Sequence, residues 1–277
     1  MTFHVVAKKD FKDAIRSKTL WGLTAIFILF TGGLAYIYTI IQGESGLFGG
    51  LNFIFFLIGP VTLLVPIIAL ILGHQSIAGE IESNSIKTLL SLPHTRRDVI
   101  IGKILGRGTV LGVSILSGFI IATIIVVLFF ASFSVLPFVI FTIATLLFGY
   151  TYVSIGVSLS SLTKSTTRAT VLAASFYIIF EIIWQFVPLG VYYIVKGEIA
   201  FRPPSSGWYY FLAQIRPSSA YGNLLRGFLP EATIGLQGVF PNGIPFYLSK
   251  WANLVILLGW LLIPAALGYY RFSRTDL

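Results

Sequence analysis

Six stretches of this 277-residue chain stay apolar for roughly 20 residues each, the length that carries a helix across the hydrocarbon of a bilayer. They cover about 20–41, 51–73, 104–130, 136–160, 169–190 and 251–270. Lipid offers no partner to backbone N–H and C=O groups, so each segment closes its hydrogen bonds on itself as a helix. The expected fold is an all-α polytopic membrane protein, one transmembrane domain over residues 1–277. Composition agrees. Only 10% of residues are charged, 56% are hydrophobic and mean hydropathy is +0.89. A soluble domain carries roughly 25% charged residues, and a 30.5 kDa globule could not hide this much apolar surface from water. Pro60 and Pro66 are expected to kink the second span.

Charge sets the expected orientation. Residues 1–19, 74–107, 161–168 and the tail hold fourteen of the 19 basic residues, while the short turns near 42–50 and 131–135 hold none. Basic residues stay on the cytoplasmic side. Both termini are therefore expected inside, in the plasma membrane of a prokaryote. The net charge of +9 reads as topology and headgroup contact, not nucleic-acid binding. No cleaved signal peptide is expected, because the basic stretch before the first run is too long and no small-residue site follows it.

Residues 3–18 place Phe3, Val6, Ala7, Phe11, Ala14 and Ile15 at helical spacing, with Lys8, Lys9, Lys12, Asp13 and Arg16 opposite. This is a basic amphipathic helix expected to lie in the membrane interface. The segment 191–250 before the last run carries Trp208, Tyr209, Tyr210 and Tyr247 among six prolines, including Pro217 and Pro245. It reads as short helices and turns on the outer leaflet or partly re-entrant, or as a small folded cap.

Few residues carry chemistry. There is no cysteine, and His4, His74 and His94 form no metal or acyl-transfer motif. Glu80 and Glu82 stand two apart, which puts them on different sides of a helix, so no catalytic pair is expected. No G-x-x-x-x-G-K-[ST] loop occurs, so no ATP site is expected in this chain. Glu181 stands in mid-span with Gln185 one turn later; it reads either as polar lining of a transport path or dimer interface, or as a packing hydrogen bond to a neighbouring helix. Asn52 and Gln75 read as interfacial.

The segment after the second run reads Gly79-Glu80-Ile81-Glu82-Ser83-Asn84-Ser85-Ile86-Lys87-Thr88-Leu89-Leu90-Ser91-Leu92-Pro93-His94-Thr95-Arg96-Arg97-Asp98. It is expected to be a short amphipathic helix ended by Pro93. Ile86, Leu89, Leu90 and Leu92 would form an apolar ridge, and Glu80, Glu82 and Lys87 exposed polar groups. A ridge of that kind suits a groove in a cytoplasmic partner; a plain loop with topogenic charges is the alternative. An acidic pair, then Thr-Leu-Leu-Ser-Leu-Pro, Thr-Arg-Arg-Asp and Gly-Lys opening a span, resembles the permease subunits of type-2 ABC exporters. Within them it resembles the branch with the permease of the copper-enzyme (nitrous oxide reductase) maturation system. Asn84-Ser85-Ile86 replaces the Gly-Thr usual there.

The resemblance implies a coupling helix that docks on a separate ATP-binding subunit through Glu80, Glu82, Lys87, Thr88, Leu89, Arg96 and Arg97. The turn 161–168, with Lys164, would be a second contact. It also implies two permease copies, ATP and Mg on the partner subunit, and export of an amphipathic lipid, peptide or drug-like molecule. Transduction of ATP energy to an extracytoplasmic protein through 191–250 is the alternative. A nucleotide-independent secondary transporter is a third, disfavoured because no repeat and only one clear intramembrane charge are found. Leu89→Asp is expected to uncouple nucleotide hydrolysis from the membrane subunit while leaving insertion intact, read as ATPase stimulation in co-purified complexes; wild-type coupling in that variant rules out the docking site.

Overall fold

The computed structural model describes residues 3–16, 18–43, 50–87, 95–129, 134–198, 206–229, 240 and 243–275. Every regular element among them is helical. In chain order these are α1 (Phe3–Ile15), α2 (Lys18–Gly43), α3 (Gly50–Gly73), α4 (Ala78–Glu82), α5 (Arg96–Phe129), α6 (Val135–Ser161), α7 (Thr166–Tyr177), α8 (Val187–Lys196), α9 (Gly207–Gln214), α10 (Pro217–Phe228) and α11 (Lys250–Ser273). Among the described residues six stretches are long and apolar enough to cross a membrane: Leu20–Ile41, Phe53–Glu82, Arg96–Phe129, Val135–Ser161, Thr166–Lys196 and Lys250–Ser273. The chain is an all-α polytopic membrane protein.

The third begins well before its apolar run, and the fifth is not continuous α-helix. The third starts at Arg96 because Thr95 and Asp98 cap it reciprocally. The Thr95 amide and hydroxyl donate to Asp98 Oδ2 at 3.1 and 2.7 Å, and the Asp98 amide donates to Thr95 Oγ1 at 3.1 Å. This capping box satisfies the open amides of the first turn. The fifth is interrupted. A π-helical turn covers Ile178–Ile183 and a 3₁₀ turn Trp184–Phe186. Pro188 has no N–H for the Trp184 carbonyl, and its ring crowds that carbonyl. The Val187 amide bonds Trp184 O instead, tightening the turn. The second span runs on as helix through both Pro60 and Pro66.

The chain divides into two compact units, Met1–Ala173 with Leu261–Leu277, and Ala174–Trp260. In the first, α5 is central: α1, α2 and α6 all pack on it, and α3 packs on α6. Hydrophobic collapse does not drive association between helices in lipid, so close packing and interhelical hydrogen bonds do. Thr24 and Ser114 share a 2.6 Å bond between α2 and α5, and Ser154 Oγ donates to Leu261 O at 2.6 Å. Phe119 stacks on Phe141 and meets Phe27 and Phe138 edge-inclined. At the end of α3, Gly73 touches the backbone of α6: a Cβ there would lie 2.9 Å from Gly156 Cα and Val157 N.

The second unit holds a helical hairpin, α9 then α10. Its turn lies against the middle of two spans. Trp184 Nε1 donates to Leu212 O at 3.0 Å, and Trp260 Nε1 donates to Ile215 O at 2.7 Å. Phe180 stacks on Trp184, and Trp260 stands edge-on to Phe176 and Phe180. The segment before the last span is thus held by indoles of two of the long apolar helices.

Gly73→Ala must push α3 off α6, because the obstructing atoms are backbone; we expect a loss of about 1–3 kcal/mol, typical of overpacking. Gly33→Ala, with nothing within 4 Å of its new Cβ, is expected to be neutral. Thermal unfolding of both variants in detergent checks the pair, and equal midpoints would refute the close crossing.

Candidate functional site

Four charged side chains converge where α1, α4 and α5 meet. Lys103 of α5 is 1% exposed. Its Nζ lies 2.8 Å from Glu80 Oε1 of α4 and 3.4 Å from Asp10 Oδ1 of α1. One turn along α5, Arg107 Nε lies 2.8 Å from Asp10 Oδ2. That last contact is an ion pair off the hydrogen-bonding direction, and Glu80 Oε2 is buried with no hydrogen-bond partner. Two cations face two carboxylates, so the cluster is neutral as a whole.

Local sequence explains the meeting. Val6, Asp10 and Ala14 recur every four residues and form the buried stripe of α1. Opposite them α5 offers Gly102 and Gly106. A Cβ on Gly102 would stand 2.6 Å from Val6 Cβ, and one on Gly106 2.9 Å from Asp10 Cβ. This small-xxx-small spacing lets the two helices close up, and the residues following each glycine, Lys103 and Arg107, both reach Asp10. On the other side, Ser160 of α6 accepts from the Ile77 and Ala78 amides at 3.0 Å each, which caps α4 and fixes Glu80. An unpaired buried lysine would be very costly, and removing one partner of such a set exposes that cost.

The segment 79–98 differs from the single amphipathic helix expected. Asn84 takes φ 58°, a left-handed conformation that ends α4, and helix resumes at residues 85–87. Glu80 is not an exposed polar group: its side chain is 20% exposed and turned onto Lys103. Ile86 is buried, so it lies inside rather than on an open ridge. Arg96 is also turned inward. Its Nη1 donates to the Phe272 carbonyl and, at 2.8 Å, to Thr275 O, and its guanidinium lies over the Phe272 ring. It thus covers the last carbonyls of α11. Glu82, Lys87, Arg97 and Lys164 are exposed. Thr88, Leu89, Leu90, Leu92, Pro93 and His94 lie outside the described residues.

Glu82 joins two loops. Its Oε2 accepts from the Thr166 amide at 2.8 Å, which puts a carboxylate on the first turn of α7, where it suits the helix dipole. The turn carrying Lys164 is thereby tied to α4. His74 Nδ1 lies by the Leu70 and Ile71 carbonyls, a local role. Gln75 is exposed, and for Asn52 only the backbone is described.

Glu181 falls in the π turn and meets α10. Ser218, in the first turn of α10, donates its hydroxyl to Glu181 Oε2; Arg216 Nη1 donates to the Glu181 carbonyl at 3.3 Å and its Nε to Ser219 Oγ at 2.6 Å. Of the two readings of this carboxyl, the packing hydrogen bond is the contact seen. Gln185 is exposed and is not brought to Glu181's partners.

The buried ion cluster joins α1, α4 and α5 next to a segment whose Glu82, Lys87 and Arg97 are exposed. Residues 4–277 match the ABC-2 family transporter proteins. This chain belongs to that family. It is similar to the probable ABC transporter permease protein NosY of Stutzerimonas stutzeri, 26% identical over 274 residues, and to that of Pseudomonas aeruginosa, 25% identical over 273 residues, each alignment covering 97% of both chains. The ABC-2 chain is a permease, as its likeness in sequence implied.

Asp10, Lys103 and Arg107 were not singled out as site residues from the sequence. Two signals were present in it: an aspartate at helical spacing between Val6 and Ala14, and Gly102-x-x-x-Gly106 with a cation after each glycine. Lys103→Met leaves Glu80 without a cation and Asp10 with Arg107 alone, and we expect a stability loss of roughly 3–5 kcal/mol. Arg97→Met, at an exposed cation, is expected to change little. Adding Glu80→Gln to Lys103→Met should recover part of the loss, because it removes the carboxylate left without a cation. Unfolding midpoints in one detergent read these variants together with Glu80→Gln alone, and additive losses would show that Lys103 and Glu80 do not interact.

Proposed function

We propose that this permease is the membrane half of an ATP-driven exporter of amphipathic molecules. A separate ATPase subunit binds ATP and Mg and docks on the segment 82–97 and the 161–168 turn. Glu82, Lys87, Thr88, Leu89, Arg97 and Lys164 form that docking surface; Glu80 and Arg96, turned inward, pass the movement on instead. The observation that carries this reading is the Glu80–Lys103–Asp10 contact, since a displacement of α4 pulls on α5 and α1 together through charges that cannot part without great cost. Two permease copies pair, each with one ATPase. Closure of the ATPases brings their docking segments together, and the spans respond by hinge or rigid-body movement. The topology has both termini in the cytoplasm of a prokaryote, following the basic loops.

One observation favours a second output. Trp184, Trp260 and the Glu181 carboxyl grip the turn of the α9–α10 hairpin. A shift of those spans moves the hairpin, so ATP energy could reach a protein on the far side. Affinity purification in mild detergent, with bound proteins identified, tests the proposal. A stoichiometric soluble P-loop ATPase is expected. ATPase stimulation by an amphipathic cargo supports export, while a co-purifying extracytoplasmic protein with no cargo response supports transduction. Glu80→Gln should keep the ATPase bound but weaken its stimulation. A chain that purifies alone and moves solute without nucleotide overturns the assignment.

A further inference from the structure

At the N-terminal end of the last span, the second unit carries an open pocket of ≈ 270 Å³ lined by Asn223, Arg226, Ile244, Leu248, Lys250 and Trp251, with Gly227 and Ser249. Its wall pairs two cations with an apolar floor, and among the described residues no carboxylate lines it. Gly227 sets the geometry. A Cβ there would stand 2.6 Å from Lys250 Cβ, so the end of α10 lies directly on the start of α11 and brings Arg226 beside Lys250. Asn223 stands one turn behind Arg226 on α10. Among the described residues neither cation forms an ion pair with a carboxylate. Lys250 Nζ lies over the Phe228 ring at 4.6 Å and the Trp251 ring at 5.7 Å. The two rings contact each other edge-on.

We propose that this pocket is a phosphate-binding site that takes the headgroup of an anionic phospholipid. Lys250 is the first residue of a spanning helix, so the pocket mouth lies at the boundary of the hydrocarbon, where lipid phosphates sit. Arg226 and Lys250 grip the phosphate, with Arg226 able to offer two parallel N–H bonds. Asn223 adds a neutral donor. The first turn of α11 carries no acidic residue, and its positive end adds to the field. Ile244, Leu248 and Trp251 receive the glycerol and upper acyl carbons. Plain aromatic anchoring at the interface needs the ring of Trp251 but neither the paired cations nor Asn223.

The test uses the full chain, purified in mild detergent, stripped of lipid and titrated by native mass spectrometry with phosphatidylglycerol, phosphatidylcholine and inorganic phosphate. Phosphatidylglycerol is expected to bind at least about tenfold tighter than phosphatidylcholine. Arg226→Gln and Lys250→Gln each weaken it roughly fivefold, and the pair about thirtyfold, in line with the attraction of one cation to an anionic surface. The swap Arg226→Lys with Lys250→Arg retains the preference. Lys196→Gln, at the end of α8, leaves it unchanged. Equal binding of the two lipids, or full binding by the glutamine pair, overturns the site. Displacement of the lipid by millimolar inorganic phosphate overturns the lipid assignment in favour of a free anion. If the glutamine pair does not elute as a single species, Asn223→Asp sets a carboxylate beside Arg226 and must also abolish the preference; its retention overturns the site.

Discussion

Backbone hydrogen bonding in a medium without water governs this molecule. Within each apolar run the helix answers the demand alone. The informative places are those where a helix stops, because open amides and carbonyls there need side chains. Ser160 covers the amides that open α4, the Thr95–Asp98 pair covers those of α5, and Glu82 receives the Thr166 amide at the start of α7. At carbonyl ends, Arg96 covers α11, and the indoles of Trp184 and Trp260 cover the turn after α9. Most of these caps come from another element. The capping scheme is therefore also the wiring between helices, and a shift at one end of a helix is felt by the element that caps it.

The ion network behind α4 follows the same logic with charge in place of dipoles. A lysine with 1% exposure is tolerable only with its carboxylates fixed around it. The cluster therefore ties three elements into one stiff joint, and it sits beside loops that keep Glu82, Lys87, Arg97 and Lys164 on the surface. Such stiffness suits the coupling proposed for this segment, since a compliant joint would absorb movement. The hairpin of the second unit shows the complementary design: two tryptophans and one carboxyl hold a non-helical turn against the middle of two spans.

The functional segment was legible in the sequence as a pattern but not as a structure. Thr95-Arg96-Arg97-Asp98 carried its capping chemistry openly, since a threonine three residues before an aspartate is a helix start. The same letters could not say that Arg96 would turn to the end of α11, because its acceptors lie more than 170 residues away along the chain. Glu80 and Glu82 looked alike as an acidic pair. One faces Lys103 and the other Thr166, a difference set by which neighbours the close helix contacts bring near. The interruption at Glu181 had its sign in Pro188, four residues after Trp184, although proline alone does not tell a π turn from a simple kink.

By itself the sequence determined the number of spans, their helical nature and the family, because length and apolarity in lipid admit one backbone solution and the motif around residues 80–103 marks its class. The tertiary structure decided which charges are buried and which remain exposed. That depends on glycines allowing helices to approach within a side chain's reach, at Gly102 and Gly106 against α1 and at Gly227 against Lys250. A pairing of distant residues is a property of the assembled helices, and periodicity within any one of them does not contain it.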